Sequence, residues 1–173
     1  MKWNSQKKRL LIDSLENSTR KLRIGSRCLY VPLTGDICAK LYKNRMQRNR
    51  CVEFQKVSAK NSLAPKVGDV FSIKLFIIDH LHENLNSHNM YNVRSRTMYG
   101  YLSEKADLRG VRLSKHKARK LENKLLSIGI NHYDIRRCNV GYLNGNLVCI
   151  DFDSNSCNKK IKKGQLNHFH KQT

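Results

Sequence analysis

A chain of 173 residues with an apolar fraction of 39% has room for one domain or two small lobes around a modest core. Its 34 basic residues against 13 acidic give a net charge of +21, a field that draws nucleotides, nucleic acid or acidic proteins without specifying a fold. No apolar run approaches the roughly 18 residues of a membrane span, and the six cysteines have no CxxC or zinc-finger spacing, so the expectation is a cytoplasmic chain with no membrane partner and no disulfide framework.

Residues 4–18 have helical spacing, with Leu10, Leu11 and Leu15 on one face, and read as an amphipathic helix, not a signal peptide. Residues 21–33 read as two strands broken near Gly25-Ser26, and Thr34-Gly35-Asp36 is a turn before a strand at Ile37–Tyr42. A helix follows over 46–63, stopped by Pro65 and Gly68. Residues 69–78 form a strand, 79–93 a polar loop rich in Asn and His, and 96–103 a further strand running into a linker, SEKAD. Residues 114–128 form a basic helix that turns Leu121, Leu125, Leu126 and Ile128 inward. Two short apolar runs flank Asn144-Gly145-Asn146, the strongest short-range hairpin signal. The last twenty residues are polar and basic, expected to be poorly ordered or a short helix. Strands, helix, strands, helix and hairpin in this order make an α+β class.

The sharpest pattern is His132-Tyr133-Asp134-Ile135-Arg136-Arg137-Cys138-Asn139, with Asp151-Phe152-Asp153 starting twelve residues after it. Magnesium prefers hard oxygen ligands, which Asp and Asn supply. The hairpin between Asn139 and Asp151 brings its two ends together, and Asp134 lies on the loop just before it. Three oxygen-bearing side chains would thus converge where a metal phosphate could sit, in a chain where acids are scarce.

HYDIRRCN…IDFD resembles the catalytic loop and metal-binding motif of the protein-kinase-like superfamily, HxDxxxxN…DF(G/D). The resemblance covers residues 20–153 and is densest at 132–153. It implies ATP and Mg²⁺ as cofactors and a bilobal fold. Residues 1–20 would be an N-terminal helix, 21–104 an antiparallel-sheet N-lobe, and 105–173 a truncated helical C-lobe. Asp134 matches the base that orients the acceptor hydroxyl, His132 the histidine that braces the loop, and Arg136 stands where protein kinases place a phosphate-contacting lysine. Asn139 and Asp151 match the metal ligands, with Asp153 as a further candidate. Upstream, Lys40 in ICAKLY resembles the VAIK lysine, and Glu53, the only acid in 37–68, is its expected partner. Gly25 and Ser26 fall at the phosphate loop. MYGYLSEKAD, with Tyr101, resembles the strand and hinge that meet the adenine edge.

The sequence departs from the family pattern in places. The phosphate loop has one glycine where protein kinases have three, DFD replaces DFG, and the chain ends 22 residues after Asp151 without an APE motif. The resemblance is to a minimal kinase of the type carried by phages. It implies a Ser/Thr/Tyr kinase acting on host proteins or on itself, with substrate binding aided by a partner or a second copy. A pseudokinase-like scaffold that binds nucleic acid or an acidic partner, and a small-molecule kinase, are the alternatives. Taken singly, Asp134 could cap a turn, Lys40 could be a surface strand lysine, Glu53 could lie on a solvated helix face and Gly25 in an ordinary turn. The basic stretch 112–124 could be a solvated face or a non-specific nucleic-acid surface, since no base-reading motif accompanies it.

Overall fold

The computed structural model describes residues 1–16, 28–80, 91–152 and 157–159. Gly25, Ser26, Asp153, the strand expected before residue 28, the histidine-rich segment 81–90 and most of the tail lie outside the described residues.

The architecture is mixed α+β. Helix α1 (Ser5–Glu16) precedes strands β1 (Cys28–Pro32) and β2 (Ile37–Tyr42), then helix α2 (Arg45–Lys60) and strands β3 (Val67–His80) and β4 (Tyr91–Glu104). These four strands form one antiparallel sheet in the order β1-β2-β4-β3. Gly35 takes φ +45 in the turn from β1 to β2, a backbone setting that glycine adopts without strain. Asn44 caps α2, its side-chain oxygen accepting from the main-chain N–H groups of Met46 (2.8 Å) and Gln47 (3.3 Å).

Strand β2 is buried from Cys38 through Tyr42, so the sheet is covered on both faces there. Side chains alternate between faces. Ala39 and Leu41 join α1's Leu11 and the sheet residues Val31, Phe71, Ile73, Met98 and Leu102 in one apolar cluster, with Trp3 stacked on Phe71 at 3.7 Å. Cys38, Lys40 and Tyr42 point the other way, where Tyr42 packs with Tyr101 and with Cys51 and Val52 of α2. Leu11 is the fully buried residue of α1, with Ile12 and Leu15 packed beside it; Leu10 is half-buried.

The second half holds α3 (Lys115–Ser127), β5 (Ile130–His132), a 3-10 turn (Arg137–Asn139), the hairpin β6 (Val140–Leu143) and β7 (Asn146–Cys149), and β8 (Cys157–Lys159). Asn144 and Gly145 both have positive φ, as the tight hairpin turn requires. Phe54 of α2, Leu63, Leu121 and Leu125 of α3, Ile130, Val140, Cys149 and Phe152 make one core. Helix α2 therefore serves both the sheet and this second core. Two backbone links fix the hairpin: Cys149 N–H donates to the Leu63 carbonyl at 2.9 Å, and Asp107 and Tyr142 exchange a pair of bonds at 2.8 Å.

Helix α2 ends at Lys60, short of the expected 63, β3 begins at Val67, ahead of the expected 69, and other boundaries also differ from the sequence expectation. The β3–β4 ladder runs through Asp79, His80, Tyr91, Asn92 and Val93, which read as loop, because backbone pairing continues whatever side chains it carries. Strand β4 continues through Glu104, one residue into the stretch expected as a linker, and Ser103 at the expected strand end is fully buried between β2 and β3. Cys157–Lys159 is a strand paired with β5, with Cys157 sunk in the core, where the tail was expected to lack such structure.

Candidate active site

Lys40 is 6% exposed on the α2-facing side of β2. Its ammonium donates to Gln55 Oε1 at 3.0 Å and to the main-chain carbonyl of Ile150, and lies 5.6 Å from the Tyr101 ring centre. Both hydrogen-bond acceptors are neutral.

Gln55 is completely buried and uses both ends of its carboxamide. Oε1 also accepts from the Tyr101 hydroxyl (2.8 Å), while Nε2 donates to the Pro65 carbonyl (2.9 Å) and to Ser103 Oγ (2.8 Å). The two acceptors at Nε2 fix the amide orientation, since the flipped amide would set its oxygen against the Pro65 carbonyl.

This corrects the expected Lys40–Glu53 pair. Glu53 lies two residues before Gln55 on α2, and residues two apart on a helix do not share a face. Cys51, Val52, Phe54, Gln55 and Ser58 form the buried stripe; Glu53 is exposed. Helical periodicity places Gln55, and not Glu53, on the buried face toward β2.

Tyr101 also departs from its expected adenine-edge role. It sits mid-strand in β4 with its backbone paired to Lys40 on one side and Val70 on the other, and its side chain is 1% exposed. Its phenol belongs to the shell around Lys40. Burial pushes that hydroxyl's pKa well up, as it does for Tyr42 stacked 6.0 Å away.

The segment from His132 to Asn139 meets the main chain at Ile150 and Asp151. His132 Nε2–H donates to the Asp151 carbonyl (2.7 Å), and Nδ1 accepts from the Asp134 main-chain N–H (3.1 Å). This pattern requires the neutral Nε2–H tautomer. The ring meets Phe152 edge-on at 5.9 Å, and Phe152 is 1% exposed in the second core. His132 is thus a brace between loop and hairpin.

Asn139 Nδ2 donates to the Asp134 carbonyl (2.9 Å) and to Asp134 Oδ2 (3.0 Å). With both amide protons spent, Oδ1 is the atom it can offer a metal. Asn139's own carbonyl accepts from Ile150 N–H at 2.9 Å, tying the loop to the residue before Asp151. The Cys149 thiol donates to the Asp151 carbonyl at 3.3 Å, and burial pushes its pKa up to about 12, so it remains protonated.

Asp134 is gripped by Arg136, whose Nη2 donates to Oδ2 at 2.6 Å and whose Nε pairs with Oδ1. The hydrogen bond from Arg136 holds the Asp134 carboxyl below its usual 3.8, with Asn139 adding to the effect. The carboxylate is ionised but fully engaged. The Arg136 side chain is 70% exposed, and with Leu108, Arg137 and Cys138 it lines a shallow concavity of about 440 Å³ beside the loop.

Among the described residues, no cluster of three or more histidine, cysteine or carboxylate side chains is spaced to hold a metal. Magnesium would rely on Asn139 Oδ1 and the Asp151 carboxylate, with phosphate and water oxygens completing the shell, a donor set that suits its hard-ligand chemistry. No helix of the described residues is long and apolar enough to cross a membrane. A scan against protein-family models finds no match, and neither does a search of curated proteins.

Proposed function

We propose that the chain is an ATP- and Mg²⁺-dependent phosphotransferase with a kinase-like bilobal arrangement, acting on a protein hydroxyl. The observation that carries this reading is the meeting of Lys40 with the Ile150–Asp151 segment, whose main chain also bonds to His132 and Asn139. Magnesium, when bound, would neutralise phosphate charge and orient the terminal phosphoryl group. Lys40 adds positive charge, and its neutral hydrogen-bond partners leave that charge for phosphate oxygens. The acceptor oxygen bonds to the γ-phosphorus as the bond to the bridging oxygen breaks and ADP departs. Asp134 holds the acceptor hydroxyl and takes its proton, which requires one Arg136 contact to be exchanged for the acceptor.

Thermal unfolding with ATP, with and without Mg²⁺, tests the nucleotide site, because a ligand of the native state raises apparent stability. Wild type is expected to gain several degrees only when both are present, and Asp151→Ala to lose the gain. Transfer of label from ATP that depends on Asp134 tests the chemistry. Equal ATP stabilisation of wild type and Asp151→Ala counts against the site.

The Arg136 clamp on Asp134 favours a second reading, a nucleotide-binding scaffold without transfer. It predicts Mg²⁺-ATP stabilisation with no Asp134-dependent label.

A further inference from the structure

The concavity lined by Leu108, Arg136, Arg137 and Cys138 shares Arg136 with the Asp134 carboxylate. Anything seated there lies next to the group assigned to the acceptor hydroxyl. We infer that it is the acceptor-docking site and that it takes an acidic peptide segment, with a peptide carboxylate on Arg137. This rests on the phosphotransferase reading and adds the substrate class.

The chemistry of the lining supports the choice. A guanidinium presents a planar fork that matches a carboxylate with two parallel hydrogen bonds. Arg136 uses its fork on Asp134, whereas the neighbouring Arg137 is exposed. The carboxylates closest in sequence are already engaged, Asp134 by Arg136 and Asp107 by Arg109 at 3.1 Å. A cationic acceptor would face two arginines and compete for acids already paired. Leu108, 47% exposed, supplies an apolar floor for the aliphatic part of a peptide side chain. Among the described residues no aromatic ring lines the concavity, so they offer no base stacking there, a main source of affinity for single-stranded nucleic acid.

A net charge of +21 attracts any polyanion, so the test must separate a local site from the overall field. The probe is a fluorescein-labelled peptide with one serine flanked by glutamates, and its binding to the full chain is read by fluorescence anisotropy. Arg137→Glu is compared with Lys120→Glu, an exposed position on α3 that changes the net charge equally. An oligonucleotide of equal charge is the third arm. Arg137→Glu is expected to weaken peptide binding about tenfold, against less than about threefold for Lys120→Glu. Equal losses in the two variants, or none in either, overturn the inference. A loss at Arg137 larger for the oligonucleotide than for the peptide also overturns it, in favour of nucleic acid. Binding needs no catalysis: Arg137-dependent docking without Mg²⁺-ATP stabilisation would retain the docking site and remove the phosphotransferase reading.

Discussion

Replacing Gln55 with leucine tests the arrangement around Lys40 most directly. Leucine has nearly the same volume, so the change removes polar atoms without opening a large cavity. Four hydrogen bonds go: from Lys40, from Tyr101, to Pro65 and to Ser103. A neutral bond contributes roughly 0.5–1.5 kcal/mol and one to a charged group roughly 1.5–3. The sum is partly offset by leucine's own apolar burial, about 1.5–3 kcal/mol. Ser103 Oγ keeps its bond to the Glu104 carbonyl at 3.0 Å, but the Lys40 ammonium loses one of two acceptors inside a buried site. The net expectation is a loss on the order of 3–5 kcal/mol, a large share of a typical total of about 5–15. At about 2–4 °C per kcal/mol for a chain of this size, the midpoint should fall by about 10 °C. Urea unfolding at unchanged m-value measures it. A loss under about 1 kcal/mol would refute the network, because the Pro65 carbonyl left without its Gln55 donor adds roughly 1–3 kcal/mol to the bonds themselves and keeps even the low end of the sum at about 1.

Gln55→Glu is the companion test. It gives Lys40 an acidic partner but turns an oxygen toward the Pro65 carbonyl, so a loss of about 1–3 kcal/mol is expected despite the new charge pair. A gain would mean that position 55 prefers a carboxylate. Arg136→Ala should make stability less dependent on acid pH. The pKa of Asp134 is depressed in the folded state, so its contribution is complete above the ordinary value of 3.8 and is lost as pH falls through the lower folded value. The gap between wild type and variant, followed by urea midpoints from about pH 6 to pH 2, should be widest near neutrality and close in acid. Gly100→Ala should cost about 1–3 kcal/mol by chemical denaturation. A methyl there would lie 2.4 Å from Phe71 Cζ and 2.7 Å from Leu41 Cδ2, in the layer that holds the Trp3–Phe71 stack.

What could be read in the sequence follows local rules. Alternation along ICAKLY assigns Lys40 to the same face as Cys38 and Tyr42, and Asn-Gly at 144–145 specifies the hairpin that joins Asn139 to Asp151. The HxDxxxxN spacing brings Asp134 and Asn139 into hydrogen-bond contact. Charge alone points to Glu53, whereas helix geometry points to Gln55. The burial of Tyr101 is not legible locally, because a single strand does not reveal whether one or both of its edges are paired. The β5–β8 pairing joins residues far apart in sequence through main-chain bonds, to which side-chain pattern is nearly blind. The same holds for the Ile150 carbonyl, the acceptor that ties Lys40 to the second half of the site.

That carbonyl bears on how the site can be tested. The main chain at 150–151 is bonded at three of its atoms: Lys40 on Ile150 O, Asn139 on Ile150 N–H, and His132 with Cys149 on Asp151 O. Phe152 then anchors the segment in the second core. All four of these bonds go to main-chain atoms of residues 150 and 151, so none of them is removed by changing the side chain at 151. Asp151→Ala should therefore keep the Ile150 N–H protected from hydrogen exchange, as in wild type. The ligand-free midpoint of each protein is the baseline against which its own Mg²⁺-ATP response is read. Loss of protection at Ile150 in the variant would show that the side chain sets the main chain here, and the backbone account of this segment would fail.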